Sequence, residues 1–432
     1  MHPNLSFEQA PPVSVPYRFF LTAPWFGAAA GLLLAWQGAE AWASRWSPGA
    51  LAAAHLVAVG YMLQAMAGAL FQFVPVAAGG NVWRPRLVAS IVHPALVLAA
   101  SLLTAALATG RSSWLLVAGP LFAVGAGFYA LVVGIALWRT AAGGPTIWSL
   151  RAAVAALVVT VAIGLALAEG IARGLAWPFA DLADVHAAWG LGGWAFLLLA
   201  GVSFHVVPMF QLTPPYPRRL ARALPTAMLA ALVLWSGRLG GGTSPWQEAA
   251  YFSGLALAAG YGGTTLWLQG RRRRRIADPT LRFFRLATAC LLAILASAVL
   301  FSAMPGLAAH PRAPVWLGVL ALPGAFVSAI NGMLYKIVPF LNWLDLQRLG
   351  GGRTVPPNIR EMLPESAMTG QMRLHFAALA ALLGAVLWPE LTRLAGVLFA
   401  ASCVWLGWNL IGAAGRYRLF KGRIAAAAPN PG

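Results

Sequence analysis

The chain is predicted to be an all-α membrane protein with twelve transmembrane helices arranged as three pseudo-repeats of four. Three observations predict this. First, 60% of its 432 residues are hydrophobic and only 9% are charged, with a mean hydropathy of +0.73, far from a soluble domain. Second, apolar runs of about 20 residues recur along the chain, each long enough for a hydrocarbon core of roughly 30 Å. Third, one Gly–Pro spacing returns three times. Gly68, Gly201 and Gly332 each stand seven residues before a proline, at Pro75, Pro208 and Pro339. The copies are 133 and 131 residues apart, and a fixed period means repeated architecture.

The spans are expected at about 18–43, 49–77, 87–108, 113–138, 147–170, 183–211, 220–237, 246–269, 281–304, 314–342, 371–389 and 392–414, with ends good to roughly two to four residues. Residues 1–17 read as a cytoplasmic tail, 18–414 as a single membrane domain and 415–432 as a basic cytoplasmic tail. The pseudo-repeats cover about 18–138, 147–269 and 281–414, which places the motif on spans 2, 6 and 10.

Span 1 closes on Gln37 and Glu40 among Trp36, Trp42 and Trp46, an interfacial belt. Span 2 carries His55 near its start, then Gln64 and Gln72, polar groups that face protein rather than lipid. Span 3 carries His93 followed by Pro94, where a kink is expected. Span 5 ends at Glu169, and Asp181 and Asp184 precede His186, an acidic cluster read as a solvated loop or a cation-attracting mouth. Span 6 holds His186 and His205, which stand nineteen residues and so roughly 28 Å apart. One metal ion therefore does not bridge those two. Span 10 holds Asn331, Tyr335 and Lys336, and Lys336 reads as snorkelling toward headgroups. A long loop is expected over about 343–370, after which His375 opens span 11. His2 and His310 lie in a tail and a loop.

The net charge of +19 raises the question of nucleic acid, and its distribution answers it. With the N-terminus inside, Arg45, Arg111, Arg173, Arg238, Arg312 and Arg393 are the only basic residues outside, and the other 24 of the 30 fall inside. The partner implied is a bilayer with anionic lipid beside the Arg271–Arg275 run, not nucleic acid. Cys290 and Cys403 both sit in spans and form no disulfide framework. Phosphate-loop, dinucleotide, zinc-protease and serine-hydrolase signatures are absent from the sequence.

The histidines carry what chemistry remains. A neutral imidazole in a helix bundle is a good ligand for haem iron or copper. His55 and His186 hold nearly equivalent repeat positions, 20 and 22 residues before their prolines, and lead the candidates. His93 and His205 follow as further metal candidates. Gln64, Gln72, Asn331, Tyr335 and Lys336 form a second set, a candidate polar path through the membrane.

Twelve spans in blocks of four, a His at the start of spans 2 and 6, and Val-Pro at their far ends resemble subunit I of the haem-copper oxidases. That resemblance implies a low-spin haem ligand at His55 and a copper ligand at His186. The His-x-His of span 10 is expected at Leu317 to Val319, where Leu-Gly-Val stands, and the His-His pair near span 7 is missing. A complete dioxygen-reducing centre is therefore not expected. The stretches YRFFLTAPWFG, HLVAVGYMLQAMAGALFQFVPVAAG and HAAWGLGGWAFLLLAGVSF are similar to NnrS-type membrane proteins. This implies haem b and/or copper as cofactor, a small gas such as nitric oxide as ligand, and a bacterial inner membrane with both termini cytoplasmic. Two other readings stand beside it: a permease or channel for a small solute, and a cofactor-free partner or assembly subunit of a respiratory complex.

Overall fold

The computed structural model describes residues 10–242, 244–273, 276–350 and 357–426. Among the described residues the chain is helical throughout, without a strand. Twelve long helices follow one another: α1 Ser14–Trp42, α2 Pro48–Ala78, α3 Pro85–Thr109, α4 Ser112–Arg139, α5 Pro145–Arg173, α6 Phe179–Gln211, α7 Arg218–Gly240, α8 Pro245–Gly270, α9 Pro279–Ala303, α10 Ala313–Gly350, α11 Glu365–Leu387 and α12 Pro389–Ala426. Eleven are long and apolar enough to cross a membrane. The exception is α8, which has 26 residues but a more polar sequence that includes Gln247, Glu248, Thr264, Thr265 and Gln269.

Inner and outer helices separate by burial. In α2, α6 and α10 the most apolar stretch is 67, 61 and 72% buried inside the protein, against 28 to 56% for the other spans. Around them, neighbours in sequence pack against each other within each block of four. Between blocks, α4 packs on α5, α8 on α9, and α12 returns to α1, closing a ring. The closure is tight. A Cβ at Gly31 would stand 2.5 Å from the Ala400 nitrogen and the Gly396 oxygen, so only glycine lets these two backbones meet.

The same helix contact recurs three times in one register. A Cβ at Gly68 would lie 2.9 Å from the Phe19 Cβ and 3.1 Å from the Pro16 oxygen. At Gly201 it would lie 2.6 Å from the Ser149 Cβ and 3.4 Å from the Thr146 oxygen. At Gly332 it would lie 3.0 Å from both the Phe283 Cβ and the Thr280 oxygen. In each case the two partners are three residues apart on the preceding helix. Eight residues earlier, Gly60, Gly193 and Gly324 press on Phe26, Ala156 and Cys290, again at matching positions. Small residues allow this approach, and dispersion between close helices then stabilises it.

A backbone feature follows the same register. Wide π-helical turns occupy Leu56–Met62, Trp189–Ala195 and Leu320–Val327. Each starts nineteen residues before its motif proline. A fourth, Ala123–Gly127, lies in α4. Such turns insert one residue into the helical ladder and re-aim the side chains around it.

Several expected boundaries move. Helix α1 starts at Ser14, inside the expected tail. Helix α10 runs on to Gly350, a short turn covers Ile359–Met362 and α11 starts at Glu365, so the expected loop is largely helical. The expected C-terminal tail is helical to Ala426, because its Arg, Leu, Lys and Ala residues are good helix formers. Helix α3 passes Pro94 without a break in its helical assignment. His2, Arg274, Arg275 and the last six residues lie outside the described residues.

Candidate functional site

Helix α2 starts at Pro48 behind Ser47, whose Oγ accepts from the Ala50 amide at 3.3 Å and donates to the Ala41 oxygen at 2.7 Å. Two turns on stands His55, just before the π segment. On α6, His186 comes three residues before the equivalent π segment. The fold brings these two side chains together. Their ring centres are 6.4 Å apart and their planes differ by 20°.

Each ring is anchored by the same nitrogen. His55 Nδ1 lies 2.7 Å from the Leu51 oxygen, and His186 Nδ1 lies 3.0 Å from the Thr160 oxygen. A carbonyl oxygen only accepts, so each Nδ1 carries the proton and each Nε2 keeps a free lone pair. This is how a ligating imidazole is usually oriented. Both side chains are half-buried. The His186 ring rests on Gly164, where a Cβ would stand 2.9 Å from its Cε1. The two rings are near-parallel and stacked across the 6.4 Å between their centres.

The carboxylates beside this pair are not a cation-attracting mouth. Asp184, two residues before His186, pairs with Arg45 through Oδ1 and with Arg238 through Oδ2, the latter at 3.2 Å. Asp181 accepts from Arg238 at 2.8 and 2.9 Å. Glu169 pairs with Arg173 on its own helix. The two guanidiniums also stack on tryptophans, Arg45 on Trp46 at 4.4 Å and Arg238 on Trp235 at 4.5 Å. The expected acidic cluster is thus a neutral Arg–Asp lattice joining the loop before α2, the start of α6 and the end of α7.

Among the described residues, the other histidines have partners of their own or lie in a loop. Thr22 donates its hydroxyl to the Arg18 oxygen at 2.7 Å, so it accepts from His93 Nε2 at 2.9 Å. That leaves His93 Nε2 committed to helix packing, with Phe19 edge-on at 5.1 Å. His205 packs edge-on to Phe73 at 6.0 Å. His375 does not open its helix. It is fully buried in the middle of α11, its Nε2 2.8 Å from Ser328 Oγ and its Nδ1 without a partner. His310 is exposed in a loop and accepts from the Arg312 amide.

The candidate polar path separates into different neighbourhoods. Asn331 accepts from the Tyr61 hydroxyl and so ties α10 to α2. Tyr335 donates to Gln371 at 3.0 Å and accepts from Asn409 at 2.8 Å, facing α11 and α12. Lys336 does not simply snorkel to headgroups, since its ammonium lies 2.8 Å from Asp278, the N-cap of α9. Burial raises the Asp278 pKa, but Lys336 and the Thr280 and Leu281 donors outweigh it and hold the carboxyl below the usual range. Gln64 is fully buried with both polar atoms unpartnered, and Gln72 is buried farther along α2.

Among the described residues, no group of three or more His, Cys, Asp or Glu side chains is arranged to hold a metal ion. Cys290 and Cys403 are free and buried. The chain matches no known family model, and no curated protein resembles it significantly.

Proposed function

We propose that this chain is an integral membrane metal-binding protein that holds one ion between His55 and His186, near the outer end of a haem-copper-oxidase-like frame. The observation that carries the reading is the pair itself: two Nδ1-anchored imidazoles from α2 and α6 with their ring centres 6.4 Å apart. The threefold recurrence of the glycine contacts and π turns supports three pseudo-repeats around α2, α6 and α10. Leu317, Gly318 and Val319 offer no imidazole, which fits a frame without a complete dioxygen-reducing centre.

The donor set favours copper over haem. Imidazoles suit copper, and two nitrogen donors satisfy one such ion without a third protein ligand. Bound copper would supply an open coordination position for a small gas such as nitric oxide. The protein's part is to fix both imidazole tautomers and their separation. Metal analysis, haem assay and an optical spectrum of the detergent-purified chain test this. About one copper per chain is expected, lost in both H55Q and H186Q. A chain that binds neither copper nor haem, or binds copper equally well without both histidines, overturns it.

A further inference from the structure

We infer that Asp184 is a positioning residue: with Arg45 and Arg238 it forms a bracket that holds His55 and His186 side by side, their ring centres 6.4 Å apart. This rests on the metal-binding reading above. The two histidines sit on helices that are not neighbours in sequence, 131 positions apart. Something has to fix α6 against α2 at this end, and the Arg–Asp lattice does so.

Asp184 is the hub. One carboxylate oxygen takes Arg45, which lies two residues before the Ser47 cap that starts α2. The other takes Arg238, at the far end of α7. Arg238 is then held by Asp181 on α6 itself, closing a four-member network. Two guanidiniums and two carboxylates leave it neutral. The Arg238 side chain is only 14% exposed and Asp184 20%, so these pairs are screened less than open surface pairs. Asp184 stands half a helical turn from His186, so a shift of that turn moves the imidazole with it. Ser47 and the Arg45–Trp46 stack pin the loop on the other side, which sets where His55 falls.

Two readouts separate the bracket from the metal site. In metal-free protein, with Cys290 and Cys403 replaced by alanine, H55C and H186C are introduced together and treated with a short bifunctional thiol reagent. Fast cross-linking is expected with Asp184 present, and clearly slower cross-linking with D184N or R45M. In the protein with both histidines, Cu(I) competition against a chelator should show D184N binding roughly tenfold to a hundredfold more weakly. R45K should restore most of the loss seen in R45M, and H310A should change neither readout. Slower cross-linking in a protein that binds no copper would uphold the bracket and sink the metal reading. Unchanged cross-linking in both folded variants would overturn the bracket, whatever copper does.

Discussion

Replacing Gly164 by alanine tests the site without touching a ligand. Helix α5 carries Gly164 against the His186 ring, and a Cβ there would stand 2.9 Å from Cε1. Carbon atoms prefer about 3.5–4.0 Å, so the ring has to retreat by roughly 0.6 Å. Its Nδ1 is held by Thr160 on the same helix, which leaves rotation about that bond as the way out. Metal–ligand distances tolerate only about 0.2 Å, so the swing is large on that scale. Copper affinity is expected to fall by roughly tenfold to a hundredfold. Stability of the metal-free protein is expected to fall by about 0–2 kcal/mol, because alanine's helix preference of about 0.5–1 kcal/mol offsets part of an overpacking cost of about 1–3 kcal/mol. The assay is Cu(I) competition in detergent beside thermal unfolding of the metal-free protein. G260A is the control, since a Cβ there meets nothing within 4 Å. A folded G164A protein that binds copper as tightly as the parent would refute the ring placement.

Three further substitutions probe the frame. G31V drives a side chain into the Ala400 backbone and should abolish most folded protein, read by size-exclusion yield, whereas G127A, with open space, should not. Y61F leaves the buried Asn331 oxygen without its donor and should cost roughly 1–3 kcal/mol in thermal unfolding, partly recovered when Asn331 is also made leucine. K336M removes the ammonium that lies 2.8 Å from Asp278 and should destabilise the protein at pH 7. Because the folded state holds the Asp278 carboxyl below its ordinary pKa of 3.8, the stability it contributes is present above that value and lost as pH falls through the folded one. The gap between parent and K336M should therefore narrow below about pH 4. A gap that stays constant down to pH 3 would show that the pair contributes nothing through ionisation.

How much of this was visible in the sequence depends on how local each feature is. Span positions follow from apolar runs and hold to within a few residues for most helices. The Gly–Pro spacing was visible because it lies within single helices. The earlier glycines Gly60, Gly193 and Gly324 share a register too, but their meaning depends on which residue of a neighbouring helix they touch. Compositional reading failed at polar helical ends. Glu365 and Thr369 fell inside the loop expected over 343–370, so His375 seemed terminal when it is central. Gln371 is polar yet fully buried because Tyr335 and Ser402 satisfy it. In the candidate site, repeat position singled out His55 and His186. Their contact, the Gly164 cradle and the arginine partners of Asp184 depend on tertiary packing between distant segments, which residue types alone do not show.

The most direct measurement is the X-ray absorption spectrum of the copper-loaded, detergent-purified protein, compared with H55Q and H186Q. Two nitrogen scatterers at about 2 Å, carrying the outer-shell pattern of imidazole, are the expected result, with copper lost from both variants. Sulfur in the first shell, or an unchanged spectrum in the variants, would contradict a site built on these two histidines.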